Sequence, residues 1–181
     1  MKEKLLFLVM SLFAITSCAS CNEVNEKMSK YAIRPDSAVY YMLGKTMSDI
    51  LFTPSKVTCY TLKGKATVAK EDLEVEPHYV RDSLIAKLDA SQIALLQFNL
   101  LADVENYKED SLIVRSPYVP CIEFCFEKKK LQPVHVIISL YDFSWTVVFD
   151  DKRQFNWNYE DKRLMERYCK MILGEAYNKV R

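Results

Sequence analysis

Glycine is nearly missing from this chain. Three glycines, Gly44, Gly64 and Gly174, stand among 181 residues, where globular proteins carry roughly 7%. A glycine-rich phosphate loop has no place to form. Histidine is scarcer still, with His78 and His135 alone. Two imidazoles leave little material for His-based acid–base chemistry or a zinc site. No GxSxG elbow, HExxH pair, P-loop or EF-hand spacing occurs. Charge of one sign is also lacking, since 25 basic and 24 acidic residues give a formal net charge of +1. No positive field draws the chain to nucleic acid. The apolar run near the N-terminus falls short of the about 20 residues of a membrane-spanning helix.

The composition that remains, 50% hydrophobic and 27% charged, is that of a globular domain with one substantial core. The N-terminus stands apart. Lys2 and Lys4 precede an apolar run over residues 5–15, broken by Ser11, and then comes Ile15-Thr16-Ser17-Cys18. Positive, then apolar, then small is the order of a secretory signal. Residues 15–18 resemble the lipobox of bacterial lipoprotein precursors, which runs aliphatic, small or β-branched, small, Cys. The resemblance covers residues 1–18. It implies a signal peptide over residues 1–17, cleavage before Cys18 and lipidation of Cys18. A soluble secreted protein and an uncleaved anchor are the alternative products of the same signal. Several acyl chains on one cysteine anchor a protein stably, at about 0.8 kcal/mol per buried CH₂. Ala19, not Asp, follows Cys18, which by analogy with Gram-negative lipoprotein sorting points to the outer membrane. Cys18 and the polar residues 19–35 read as a tether, and residues 36–181 as a single domain. Loss of residues 1–17 removes Lys2, Lys4 and Glu3 and leaves the remainder formally neutral.

Six cysteines occur, at 18, 21, 59, 121, 125 and 169. With Cys18 lipidated, five remain, and an odd number cannot pair fully within one chain. Cys121 and Cys125 on one strand would lie roughly 13 Å apart along it, too far for a disulfide. Cys59, Cys121, Cys125 and Cys169 read first as small buried residues. One long-range disulfide is the alternative, and a metal or redox role a smaller one.

Asp36 is placed to cap a helix in which Val39, Leu43, Met47 and Ile50 recur at helical spacing to about Leu51. Pro54 stops it. Residues 57–62 read as a strand. Residues 63–78 are charge-rich and read as an exposed loop, with room for a short strand near residues 66–68. Val80, Leu84 and Leu88 predict a short helix. Asp89 and Gln92 form a capping-box pattern for a second helix, apolar nearly all round over residues 93–102 and therefore buried. Residues 105–110 read as a loop and residues 112–114 as a short apolar run. Pro117 and Pro120 exclude a central strand around them. Residues 121–126, 134–140 and 145–149 predict an antiparallel meander. Lys128-Lys129-Lys130 reads as a solvated hairpin tip, with an anion or headgroup contact as the other reading. Asn158 is placed to cap a last helix whose apolar stripe is Leu164, Met165, Tyr168, Cys169 and Ile172. The expected fold is a single α+β domain, with a C-terminal antiparallel sheet of three to five strands packed against helices.

Between the last strand and the last helix lie Phe155, Asn156, Trp157, Asn158 and Tyr159. Aromatic faces flanked by amides stack on sugar rings and bond their hydroxyls, and the same residues can equally lock a loop onto the core. Phe155, Asn156, Trp157 and Tyr159 are thus the candidate ligand or partner surface. The adjacent acids Asp150-Asp151 and Glu160-Asp161 sit at a turn and a helix start and read as structural. His135, in an apolar strand, reads as a satisfied structural histidine or one facing solvent, and His78 as exposed. No catalytic residue, metal site or cofactor emerges. The expectation is a lipid-anchored cell-envelope protein, held to the membrane by its anchor, acting as a non-enzymatic module that binds an envelope protein or glycan and no nucleic acid. The alternatives are an envelope hydrolase acting on glycan or peptide through unidentified carboxylates, and a structural assembly subunit.

Overall fold

Ile122, Phe124 and Phe126 alternate with Glu123, Cys125 and Glu127, and this alternation gives one strand two unlike faces. The whole architecture follows that division. The computed structural model describes residues 32–64, 79–108, 119–150 and 152–180. Residues 1–31 with Cys18 and Cys21, the strand expected near residues 66–68, His78, the apolar run at 112–114, Pro117 and Asp151 lie outside the described residues.

Ile33–Arg181 forms one compact unit. The strands are β1 (Lys56–Gly64), β2 (Tyr79–Lys87), β3 (Ile122–Glu127), β4 (Val134–Ile138), β5 (Ser144–Phe149) and β6 (Lys152–Asn158). They form one antiparallel sheet in the order β2-β1-β3-β4-β5-β6. The helices are α1 (Ser37–Phe52), α2 (Ala90–Leu96), α3 (Lys162–Leu173) and the short α4 (Tyr177–Val180). The α+β class and the β3–β5 meander match the sequence expectation, with the strand count raised to six.

The helices cover one face. Val39, Leu43, Ile50 and Leu51 of α1, Ile93 and Leu96 of α2, and Met165, Tyr168, Cys169 and Ile172 of α3 pack against Phe124, Phe126, Val136, Trp145, Val147 and Trp157 of the sheet. The other face carries the complementary residues of each strand, including Leu62, Glu123, Cys125, His135, Ile137 and Val148. α1 is broken at Gly44, whose φ of 73° no ordinary helical residue adopts. Asp36 precedes α1, but its carboxylate accepts from Val104 N at 3.2 Å and not from the helix's own N–H groups. α2 has the expected capping box: Asp89 Oδ1 accepts from Gln92 N and Gln92 Oε1 from Asp89 N, both at 2.9 Å. It runs on into a π-helical turn, Gln97–Leu101. Buried Gln97 there donates to the Leu51 carbonyl at 2.7 Å, which ties the turn to the end of α1.

Four expectations are corrected. The segment around Val80 and Leu84 is β2, not a helix. Both side chains are exposed, so their spacing reports no buried stripe, and pairing along the free edge of β1 decides the backbone. Residues 152–158 form β6, not a loop; the polar run before Phe155 hides a strand that only the pairing to β5 reveals. α3 starts at Lys162, where Asp161 Oδ1 accepts from Leu164 N at 2.8 Å, so Asp161 and not Asn158 is the cap. Val104–Tyr107 is a 3₁₀ turn with Asn106 and Tyr107 buried.

That turn meets the tightest aromatic packing in the domain. The Tyr107 ring lies 4.9 Å from Trp145 and 4.8 Å from Trp157, and the two indoles lie 4.9 Å apart. Trp145 Nε1 donates to the Asn106 carbonyl at 2.7 Å and Tyr107 Oη to the Leu101 carbonyl at 2.8 Å. The buried polar tips of Trp145 and Tyr107 therefore have partners. Trp157→Ala should cost about 3–5 kcal/mol and lower the melting temperature by more than ten degrees in a thermal scan. An unchanged melting temperature would contradict this packing.

Candidate functional site

The aromatic surface expected around Trp157 is not a surface at Trp157 or Tyr159. Trp157 is 3% and Tyr159 2% exposed. The β5–β6 register sets Trp157 opposite Trp145, on the face under the helices. Tyr159 Oη donates to the Ser139 carbonyl at 3.2 Å. Phe155 and Asn156 belong to β6, and their side chains lie outside the described residues. Of the paired acids, Asp161 caps α3 and Glu160 pairs with Lys108 at 3.4 Å.

Cys59, Cys121, Cys125 and Cys169 are buried and free. Cys59 and Cys169 sit in the helix-covered core. Burial pushes the Cys59 thiol far up and the Cys169 thiol to about 12. Burial also raises Cys121, whose Sγ lies 3.1 Å from the Val119 carbonyl. Cys125 differs, because it points to the opposite face.

There the sheet assembles what the sequence keeps apart. Cys125 of β3 is the cross-strand partner of His135 of β4. Glu123, two residues away on the same strand face, is the partner of Tyr60 of β1. Arg81 reaches in from β2. Its Nε donates to Glu123 Oε2 at 2.9 Å and its Nη2 to Oε1 at 2.7 Å, while its guanidinium lies 4.2 Å from the centre of the Tyr60 ring. His135 Nδ1 lies 2.6 Å from Glu123 Oε1. A carboxylate only accepts, so Nδ1 carries the proton and donates.

The Glu123 side chain is 1% exposed. Burial pushes its carboxyl up, but the bonds from Arg81 and then His135 overcome that and hold it below the ordinary carboxylate value. Bonds to Cys125 first and Glu123 second raise His135 to about 9 against the cost of burial. Glu123 also raises Arg81 further.

Cys125, Arg81 and His135 line an open depression of about 610 Å³ beneath the β3–β4 turn. Lys56, Lys128 and Lys129 stand around it, with Glu127 as the one acid among the described lining residues. Lys56 pairs with Glu127 at 2.6 Å. Lys128 pairs with Asp49 at 2.5 Å and donates to Thr53 Oγ1 at 2.7 Å, which fastens the turn to the end of α1. The lysine run is thus more than a solvated tip.

Glu123, Cys125 and His135 place potential metal-ligand atoms within 4.8 Å of one another. Their wiring is that of hydrogen bonds. Two atoms on one tetrahedral zinc stand roughly 3.4 Å apart, given bonds of about 2.0–2.1 Å, farther than the 2.6 Å between Glu123 and His135. Arg81 also occupies both Glu123 oxygens. The set fits a charge network better than a metal centre.

Sequence reading missed this cluster because it compared distances along the chain. The alternation of Glu123 and Cys125 is legible, and so is the strand holding His135. The register joining them depends on the length of the turn, which the lysines and Pro133 obscure. Comparison with known proteins finds no matching family model, no matching curated protein and no matching solved structure.

The charge network predicts a pH window. A histidine raised from 6.5 to about 9 stabilises the fold fully below 6.5, and this is lost as pH rises toward 9. Glu123, held low, contributes above its ordinary value, and its share is lost as pH falls. Between pH 6.5 and 8.5 wild type should lose about 1–2 kcal/mol through His135, and the raised thiols of Cys59, Cys121 and Cys169 add a loss near the top of that window that wild type and a His135 variant share. His135→Gln should flatten that slope in urea titrations. Equal slopes in the two proteins would rule the coupling out.

Proposed function

We propose that this chain is a lipid-anchored cell-envelope protein whose folded domain binds a small anionic group, phosphate or carboxylate, in the depression under the β3–β4 turn. The anchoring part rests on the Lys2/Lys4, apolar, Ile15-Thr16-Ser17-Cys18 order. The binding part rests on one observation. Lys56, Arg81, Lys128, Lys129 and His135 surround one open depression, with Glu127 as the only acid among its described lining residues. Glu123 lies behind Arg81 and His135 and Asp49 behind Lys128, and the set still carries an excess of positive charge. Convergent cations with oriented N–H donors are what phosphate and carboxylate recognition needs. An anionic glycan or a phosphorylated envelope molecule supplies such a group. The carboxylate hydrolase reading takes no support from Asp161 and Glu160, which are engaged in capping and ion pairing.

Two measurements test the two halves. Cys18→Ala should move the protein from the membrane to the soluble fraction, and a variant that stays with the membrane contradicts the anchor. Titration with inorganic phosphate or citrate at low ionic strength should give saturable NMR shifts at His135 and Lys129. Lys129→Glu should weaken the affinity about tenfold. Spectra that do not move with either anion would overturn the binding reading.

A further inference from the structure

The surroundings of the depression narrow the anion it suits. The β3–β4 turn above it reads Lys128-Lys129-Lys130-Leu131. Lys128 is paired with Asp49 and bonded to Thr53, so the turn is fixed to the end of α1. Lys129, Lys130 and Leu131 are exposed at its tip. The ammoniums of Lys129 and Lys130 make no ion pair among the described residues. Lys130 holds φ at 66°, a left-handed conformation that glycine or asparagine adopts more readily. The tip therefore carries a lysine where turn geometry alone favours another residue. Below it, Arg81 and His135 add cations to the lining, and Leu131 and Pro133 add apolar walls. No aromatic ring stands among the described lining residues, so a sugar has no face to stack on. The space of about 610 Å³ is open and far exceeds one phosphate ion. An anionic group joined to an apolar body suits both kinds of wall.

We propose that the β3–β4 turn is a membrane-contact tip: Lys129 and Lys130 lie among the headgroups of an anionic bilayer, Leu131 enters the headgroup–acyl boundary, and the depression takes one phospholipid phosphate. The inference rests on the anion-binding reading of this depression and names the source of the anion. Basic side chains beside an exposed apolar one suit such an interface. The cations meet the negative surface potential, and the apolar side chain leaves water. The chain after residue 17 is formally neutral, so a local excess of cations decides which side turns toward an anionic surface. The attraction is short-ranged, because salt screens charges beyond about 8–10 Å at physiological ionic strength.

The test places the full chain in an excess of nanodiscs of phosphatidylcholine, alone or with about 30% phosphatidylglycerol to supply the negative surface. Each lysine is then followed by peptide mapping as uncharged N-hydroxysuccinimidyl acetate acetylates it. An acylated Cys18 inserts in both discs, so the difference between them reads the tip and not the anchor. Lys129 and Lys130 should react about fivefold more slowly on the anionic discs. Lys162 and Lys170 of α3, on the helix side of the sheet, should keep their rate. Sodium chloride at about 0.5 M should remove most of the shielding, and so should Leu131→Asp, at an exposed position. Equal rates on the two discs overturn the proposal. So does equal slowing of Lys162 and Lys170, or a Leu131→Asp chain shielded like wild type. Two soluble anions added on the neutral discs separate the sources. Inorganic phosphate that shifts the His135 signal, while the anionic discs leave Lys129 unshielded, keeps the anion site and overturns the membrane contact. Polygalacturonate that shields Lys129 where the anionic discs do not overturns it in favour of an acidic glycan. No response to phosphate or to the anionic discs overturns both readings.

Discussion

Glu123 holds a carboxylate on a sheet face with 1% of its side chain exposed, and a charge in that position costs several kcal/mol unless partners replace its water. Arg81 and His135 are those partners, and they come from different strands. The carboxylate thus ties β2, β3 and β4 together across the face that the described helices leave alone. It also pins register. A slip of one residue in β3 would send Glu123 into the apolar core and bring Phe124 out. Both oxygens of Glu123 are occupied, so removing either cation leaves a buried charge short of a partner.

The opposite face is built by conventional burial, and its tight packing gives the network a rigid sheet to stand on. Trp145, Trp157 and Tyr107 join β5, β6 and the 3₁₀ turn. The sheet has few glycines to make its turns. Lys130, Phe143 and Asp150 adopt positive φ at the β3–β4, β4–β5 and β5–β6 connections, a conformation that costs L-residues roughly 1–2 kcal/mol. Contacts around the turns offset some of that cost. Phe143 packs edge-on against Tyr159 and under the Lys162 ammonium. The β3–β4 turn is held at Lys128 by Asp49 and Thr53.

Local chemistry made much of this legible in advance. The Asp89–Gln92 capping box, the helix before Pro54, the alternation of Ile122, Phe124 and Phe126, and the stripe from Met165 to Ile172 each carry their signal within a few residues. β2 and β6 carry none. Val80 and Leu84 fall by chance at helical spacing, and Lys152 to Gln154 look like a loop; long-range pairing decides both. The candidate site shares that difficulty. Arg81, Glu123, Cys125 and His135 come from three strands, two of them separated from the first by the α2 segment, and no spacing along the chain links them. The aromatic cluster near Trp157 was visible as a cluster, but its facing depended on β6 being a strand.

The two faces leave one region where polar side chains and surplus positive charge coincide, at the depression under the β3–β4 turn. Anion recognition there draws on His135 keeping its proton beside Glu123. The most direct measurement is a ¹⁵N NMR titration of the His135 ring in the folded protein from pH 5.5 to 10.5. Protonation with a midpoint close to 9 and a persistent Nδ1–H is the result this account predicts. A midpoint near the ordinary 6.5 would show that the carboxylate and thiol do not hold that proton, and would contradict it.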